Sequence, residues 1–188
     1  MARGGLSFRR KKRLSDEIKI LIRNYFLGCV TAFALGVLVV MAFGYTITNV
    51  GVSMEESIAH NQKVLVNRTS YFVFAPRVDD VVVFKQGSNA HMYIKRVVAV
   101  PGDTVQIVGG QLYVNDALVE DSFDKIADPG IAEEKILLGE DEFFVMGDNR
   151  NNSEDSRSTS VGAILRSQII GKAWFALPSE NGSMKPIK

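Results

Sequence analysis

The sequence predicts a mostly β, antiparallel outer domain behind a single N-terminal transmembrane helix. Three observations predict it. No charged residue occurs from Asn24 to Met54, eight Lys/Arg stand in the first 24 residues, and short β-branched runs recur between turn residues through the rest of the 188-residue chain. The elements follow in order. Residues 1–24 form a basic tail (Arg3, Arg9, Arg10, Lys11, Lys12, Arg13, Lys19, Arg23) with only Asp16 and Glu17 against it. Residues 25–47 form the span, since an apolar helix needs about 20 residues to cross ~30 Å of hydrocarbon. The Lys/Arg excess ahead of the span places the N-terminus in the cytoplasm and the body of the chain, 48–188, outside.

A cleaved secretory signal peptide is the competing reading, and Ala32-Phe33-Ala34 imitates a cleavage site. Cutting there would leave the apolar residues 35–43 on the mature protein, behind an apolar region too short for a signal. An uncleaved anchor accounts for both. The formal net charge of +1 hides an asymmetry, because the chain beyond the tail carries 14 Lys/Arg against 19 Asp/Glu. A basic tail that runs straight into a membrane span argues against a nucleic-acid partner. The lone Cys29 lies in the span, so the outer domain folds without disulfides. It is long enough to bury its own core.

The expected strands are 64–66, 71–74, 81–84, 92–100, 104–108, 111–114, 142–146 and 169–175. Gly109-Gly110 reads as a tight hairpin and Pro101-Gly102-Asp103 as a turn ending the longest run. Helical signal is confined to 131–137, and 185–188 reads as a frayed end. Regular strand spacing favours a barrel-like or sandwiched antiparallel domain over a parallel sheet with crossover helices. Trp174 reads as core, His91 as a strand-end residue and His60 as surface.

Three groups carry candidate chemistry. Lys95 lies 42 positions after Ser53, in the apolar run 92–100, where alternation puts Tyr93 and Val97 on its own face. A free lysine has pKa ~10.4, so about one in 2,500 is neutral at pH 7. Lowering that by ~3 units takes about 4 kcal/mol, which burial can supply, and such a lysine can act as general base for a serine. Taken singly, Lys95 also reads as a snorkelling strand-edge residue and Ser53 as a loop serine. Gly51, two residues earlier, permits close backbone approach, and the Ser53 N–H is placed to hold an oxyanion. The third group is the loop 147–157, Gly-Asp-Asn-Arg-Asn-Asn-Ser-Glu-Asp-Ser-Arg. It fails as a calcium loop, with Arg150 at the third position and Ser153 where glycine is needed. It reads either as a solvated polar loop or as a buttress in which Asp155 pairs with Arg157, Asp148 pairs with Arg150, and Ser153 orients Lys95.

The ordered motifs Gly51-Val52-Ser53-Met54, Asp80-Val81-Val82-Val83-Phe84, Tyr93-Ile94-Lys95-Arg96-Val97 with Pro101-Gly102-Asp103, and Gly147-Asp148-Asn149-Arg150 with Ser153, Asp155, Ser156 and Arg157, behind an anchor, resemble a bacterial type I signal peptidase of the short Gram-positive kind. The likeness covers nearly the whole outer domain. It implies a signal-peptidase-like β fold and a Ser-Lys dyad, with no cofactor and no metal. Ser53 is then the nucleophile, Lys95 the general base and Ser153 the lysine-orienting serine. Gly51 and Ser53 supply the oxyanion backbone. Asp148, Arg150, Asp155, Arg157 and Arg96 give structural support. It implies removal of signal peptides from secreted preproteins after small residues, Ala-x-Ala, at the outer face of the plasma membrane, with the lipid bilayer and the secretion translocon as further partners.

Two places depart from the family's pattern. Glu56-Ser57 stands where Pro-Thr is usual, which loosens the turn after Ser53 and adds charge. Asp79 stands where glycine is common. The aromatic run 71–74 fits either the apolar surface that this family rests on the bilayer or an ordinary core strand. Two rival functions remain: a specialised relative for pilin processing or pilus assembly, and an anchored β-domain that binds a wall or membrane ligand.

Overall fold

In a computed structural model, residues 15–87, 91–120, 122–180 and 183–187 are described. Most of the basic tail, 1–14, lies outside them. The chain divides into two compact units, Met1–Val40 and Met41–Lys188.

Helix α1 runs Asp16–Phe43. Asp16 and Glu17 stand in its first turn, where negative charge complements the helix dipole. Its segment Asp16–Val40 is long and apolar enough to cross a membrane. The helix ends at Phe43, four residues before the expected end of the span. Tyr45–Thr48 instead form strand β1, because Tyr-Thr-Ile-Thr is β-branched and aromatic and finds a partner strand.

The remaining strands are β2 (Lys63–Asn67), β3 (Val81–Lys85), β4 (Met92–Ala99), β5 (Thr104–Val108), β6 (Gln111–Val114), β7 (Ala117–Leu118), β8 (Ile136–Leu137), β9 (Glu142–Met146), β10 (Ile164–Leu165), β11 (Ile169–Ala176) and β12 (Lys185–Pro186). They build an eight-stranded sheet in the order β1-β2-β11-β3-β4-β9-β10, with β12 on β11, and a four-stranded sheet in the order β7-β6-β5-β8. The pairings are antiparallel. Gly109 and Gly110, at φ 60° and 80°, make the predicted hairpin between β5 and β6, a turn open to glycine at both positions.

Sequence pattern misreads three segments and one residue. The expected strand 71–74 is the short helix α2, Ser70–Val73. Asn67 Oδ1 accepts hydrogen bonds from the Thr69 and Ser70 N–H groups, and these turn the chain before it can extend. The expected helix at 131–137 is a single 3-10 turn, Gly130–Glu133, followed by β8. The expected frayed end holds β12, whose Lys185 and Pro186 pair with Ala176 and Phe175. Trp174, expected in the core, is 38% exposed, because β11 shifts register between Ala173 and Phe175 and lifts it out of the ladder.

Three apolar clusters hold the second unit together. Val98, Phe144 and Met146 of the large sheet pack on Val105, Ile107 and Leu112 of the small one. Val82, Phe84, Val97 and Val145 form a second cluster, joined by Tyr93. Met54, Ile58, Val64, Val81 and Ile94 form a third, which plants the residue after Ser53 in the core. Each such side chain contributes roughly 1.5–3 kcal/mol by leaving water.

Candidate active site

Strand β4 carries Lys95 to the site. It pairs with β3 along its whole front half, Val82 facing Lys95, whereas β9 joins it only from Arg96 onward. Beside the open edge at Met92 and Ile94 lies a cavity of about 170 Å³, also lined by Thr48, Asn49 and Val50 from the chain leaving β1. Ser53 follows three residues after Val50. Gly51 adopts φ 115°, a backbone state that favours glycine.

The Lys95 Nζ lies 2.6 Å from Ser53 Oγ. Lys95 is 3% exposed. Burial lowers its pKa from 10.5 to about 8, against the partial opposition of Asp155, Glu154 and Asp148, while Arg157 pushes the same way as burial. The amine is therefore far closer to neutrality at physiological pH than an ordinary lysine, and it sits within hydrogen-bonding distance of a hydroxyl.

The loop after β9 encloses this pair. Arg157 grips Asp155 with two bonds of 2.8 Å, Nε to Oδ1 and Nη2 to Oδ2. The Gly147 N–H donates to Asp155 Oδ2 at 2.9 Å. Burial alone would raise the Asp155 carboxyl, but the Arg157 guanidinium and the Gly147 N–H outweigh it and hold the group below the usual carboxylate range. The loop is stitched to the nucleophile by the Asn149 N–H, which donates to Ser53 O at 3.0 Å.

One expected pairing is corrected, and two other groups are found in arrangements the sequence did not foresee. Asp148 pairs with Arg96 rather than Arg150, through Nε to Oδ1 at 2.7 Å and Nη2 to Oδ2 at 2.8 Å. The β4 to β9 register explains this, since Arg96 stands opposite Met146, two residues before Asp148. Arg150 instead places its guanidinium 4.6 Å from the centre of the Phe123 ring. Ser153 Oγ is buried and does not bond Lys95 in this structure; it lies beside Asp155 and helps hold that carboxyl low. Its place is set by Gly147, where an added Cβ would fall 2.3 Å from Ser153 Oγ and 2.6 Å from Ser53 O. Lastly, the Gly51 N–H is taken up by His60 Nδ1 at 3.2 Å, so of the two backbone groups expected to hold an oxyanion only the Ser53 N–H is without a partner among the described residues.

Sequence reasoning missed several neighbours. Gly147 was read only as part of the loop, and nothing in the sequence says that it touches both serines. Phe123 and His60 lack any motif; only tertiary proximity exposes them. Ser57, noted as a departure, accepts a 3.3 Å bond from Arg96 Nη2.

The Signal peptidase, peptidase S26 family model matches residues 22–177. A signal peptidase I of Bacillus amyloliquefaciens is 33% identical over 141 residues, covering 66% of this chain and 71% of that protein. Signal peptidase I S of Bacillus subtilis is 33% identical over 138 residues, covering 66% and 72%. A solved signal peptidase I from Enterococcus faecalis is 22% identical, with a TM-score of 0.43 over 53% of this chain and 97% of that one. With the family match spanning most of the chain, this protein belongs to the signal peptidase family, peptidase S26.

Proposed function

We propose that this chain is a membrane-anchored serine endopeptidase that removes N-terminal signal peptides from secreted preproteins after small residues of the Ala-x-Ala type, using Ser53 and Lys95. The observation that carries the reading is the 2.6 Å contact between Lys95 Nζ and Ser53 Oγ, with the amine pKa lowered to about 8. An extended substrate adds as a strand along the open edge of β4 at Met92 and Ile94, facing the chain at Asn49 and Val50. The Ser53 Oγ bonds to the scissile carbonyl carbon while its proton passes to Lys95 Nζ and the carbonyl electron pair moves to oxygen. The Ser53 N–H stabilises that oxyanion. The intermediate collapses with cleavage of the C–N bond, and the leaving amine takes the proton from Lys95. Water then gives a proton to Lys95, attacks the ester and releases Ser53 Oγ, which regains the proton. Asp155 with Arg157, and Arg96 with Asp148, hold the loop and β4 in register. In this reading Ser153 steadies Lys95 when it becomes an ammonium, which seeks more than one acceptor.

The basic tail, 1–24, is cytoplasmic, the apolar helix that follows spans the plasma membrane once and ends at Phe43, and the chain from β1 onward acts on the outer face. Signal peptides, the bilayer and the secretion translocon are its partners. Exposed Phe72 (82%) and Val73 (76%) favour the bilayer reading of the aromatic run over a core strand. The test is cleavage of a purified preprotein: Ser53→Ala and Lys95→Ala each leave it intact, and normal cleavage by either variant overturns the reading. A preprotein with leucine in place of the residue before the cut stays whole. A pilin precursor run alongside addresses the second reading, which the exposed Glu56 after the nucleophile favours.

A further inference from the structure

Ser53 sits on a loop whose two ends are clamped together. Between β1 and β2 the chain leaves and returns at nearly one place: the Asn49 N–H donates to Gln62 O and the Asn61 N–H donates to Asn49 O, both at 2.9 Å. Asn49, 3% exposed, also donates through Nδ2 to Ile58 O at 2.9 Å and to Ala59 O at 3.1 Å. That clamp carries His60 on a fixed backbone. Across the loop, the Gly51 N–H donates to His60 Nδ1 at 3.2 Å, and the same ring nitrogen is 3.2 Å from Gly51 O. One nitrogen cannot hold a proton and a lone pair at once. Either the Gly51 N–H donates to an Nδ1 lone pair or an Nδ1–H donates to Gly51 O, and in both tautomers this nitrogen ties the ring to the Gly51 peptide.

We infer that His60 is a positioning residue for Ser53, its Nδ1 holding the Gly51 peptide so that the following serine presents its hydroxyl and N–H to the substrate. Ser53 is already held from its C-terminal side, by Met54 in the core and by the Asn149 N–H on its carbonyl. On its N-terminal side stands a glycine, which has no Cβ to restrict it and adopts φ 115°. Among the described residues, His60 is the side chain that bonds the Gly51 peptide. Removing that contact frees the approach to Ser53 on one side only, which misaligns the reacting groups without emptying the substrate groove.

This inference rests on the Ser53 and Lys95 reading. The test measures kcat and KM of the full-length protein in detergent micelles on a preprotein with an Ala-x-Ala site, beside a thermal melt. His60→Asn keeps a polar atom at the position of Nδ1, His60→Gln moves it to the position of Nε2, and His60→Leu removes it. The expected result is a kcat loss of roughly 10-fold or more for His60→Leu and His60→Gln, with KM within about twofold, while His60→Asn stays within about threefold of wild type. Wild-type kcat in His60→Leu overturns the inference, as does an equal kcat loss in His60→Asn and His60→Gln, or a loss confined to KM. If His60→Leu does not fold, the Asn and Gln pair still decides. Ser53→Ala is run in the same assay: residual cleavage there defeats the dyad reading, whereas a dead Ser53→Ala beside a fully active His60→Leu defeats this inference alone.

Discussion

At the residue scale, the cost of Lys95 is the source of its use. Its pKa in the folded chain, about 8, lies below its ordinary 10.5. Cleavage needs the neutral amine, so kcat/KM rises with pH through about 8 and levels off above it; a pH–rate profile checks this. Stability runs by the same proton. Between about 8 and 10.5 the unfolded chain binds a proton that the folded chain does not, so the penalty of burying the amine is complete below about 8 and is relieved as pH climbs through that window. Lys95→Met is therefore expected to abolish cleavage yet raise stability at neutral pH by about 1–3 kcal/mol, with the gain shrinking towards pH 10; denaturant melts at the two pH values read it. Gly147 gives the opposite case. Alanine there drives a methyl group into Ser153 Oγ and Ser53 O, so Gly147→Ala loses roughly 100-fold in kcat even where the protein still folds.

At the scale of elements, the loop 147–157 and β4 act as one support because charged pairs buried on both sides tie them. Asp148 is fully buried and Arg96 nearly so. Arg96→Met leaves the Asp148 carboxylate without its partner and is expected to cost about 3–5 kcal/mol in a denaturant melt, whereas Arg96→Met with Asp148→Leu recovers most of that loss. The short helix α2 illustrates what sequence pattern misses. Tyr71-Phe72-Val73-Phe74 has the composition of a strand, but Asn67 bends the chain ahead of it into a helical turn, so that Tyr71 packs on the core while Phe72, Val73 and Phe74 stay exposed. An environment-sensitive dye on a cysteine at position 72, in the Cys29→Ser background, is expected to shift to the blue on anionic vesicles; an unchanged spectrum speaks against bilayer contact.

At the scale of the whole molecule, topology is the remaining test. A membrane-impermeant maleimide is expected to label a cysteine placed at the exposed Ser160 in intact cells, again in the Cys29→Ser background, and labelling only after lysis would reverse the orientation. Much of this molecule was legible in its sequence. The charge gap from Asn24 to Met54 and the β-branched runs are local signals, and local signals suffice for a long apolar helix and for strands whose side chains alternate or pack on both faces. The ordered motifs around Ser53, Lys95 and Asp155 were equally visible, because each is a short stretch of chain whose residue types carry the chemistry. Pairings between distant segments were not legible. That Asp148 meets Arg96 rather than Arg150 follows from the β4 to β9 register, and that Gly147 lies against both serines, or that His60 returns to Gly51, follows from where loops close. Sequence determined which groups could react and on which side of a membrane they were expected. Only the tertiary structure decided which of them touch, because contact between residues far apart in the chain is set by strand register and loop closure, and neither leaves a periodic trace in the sequence.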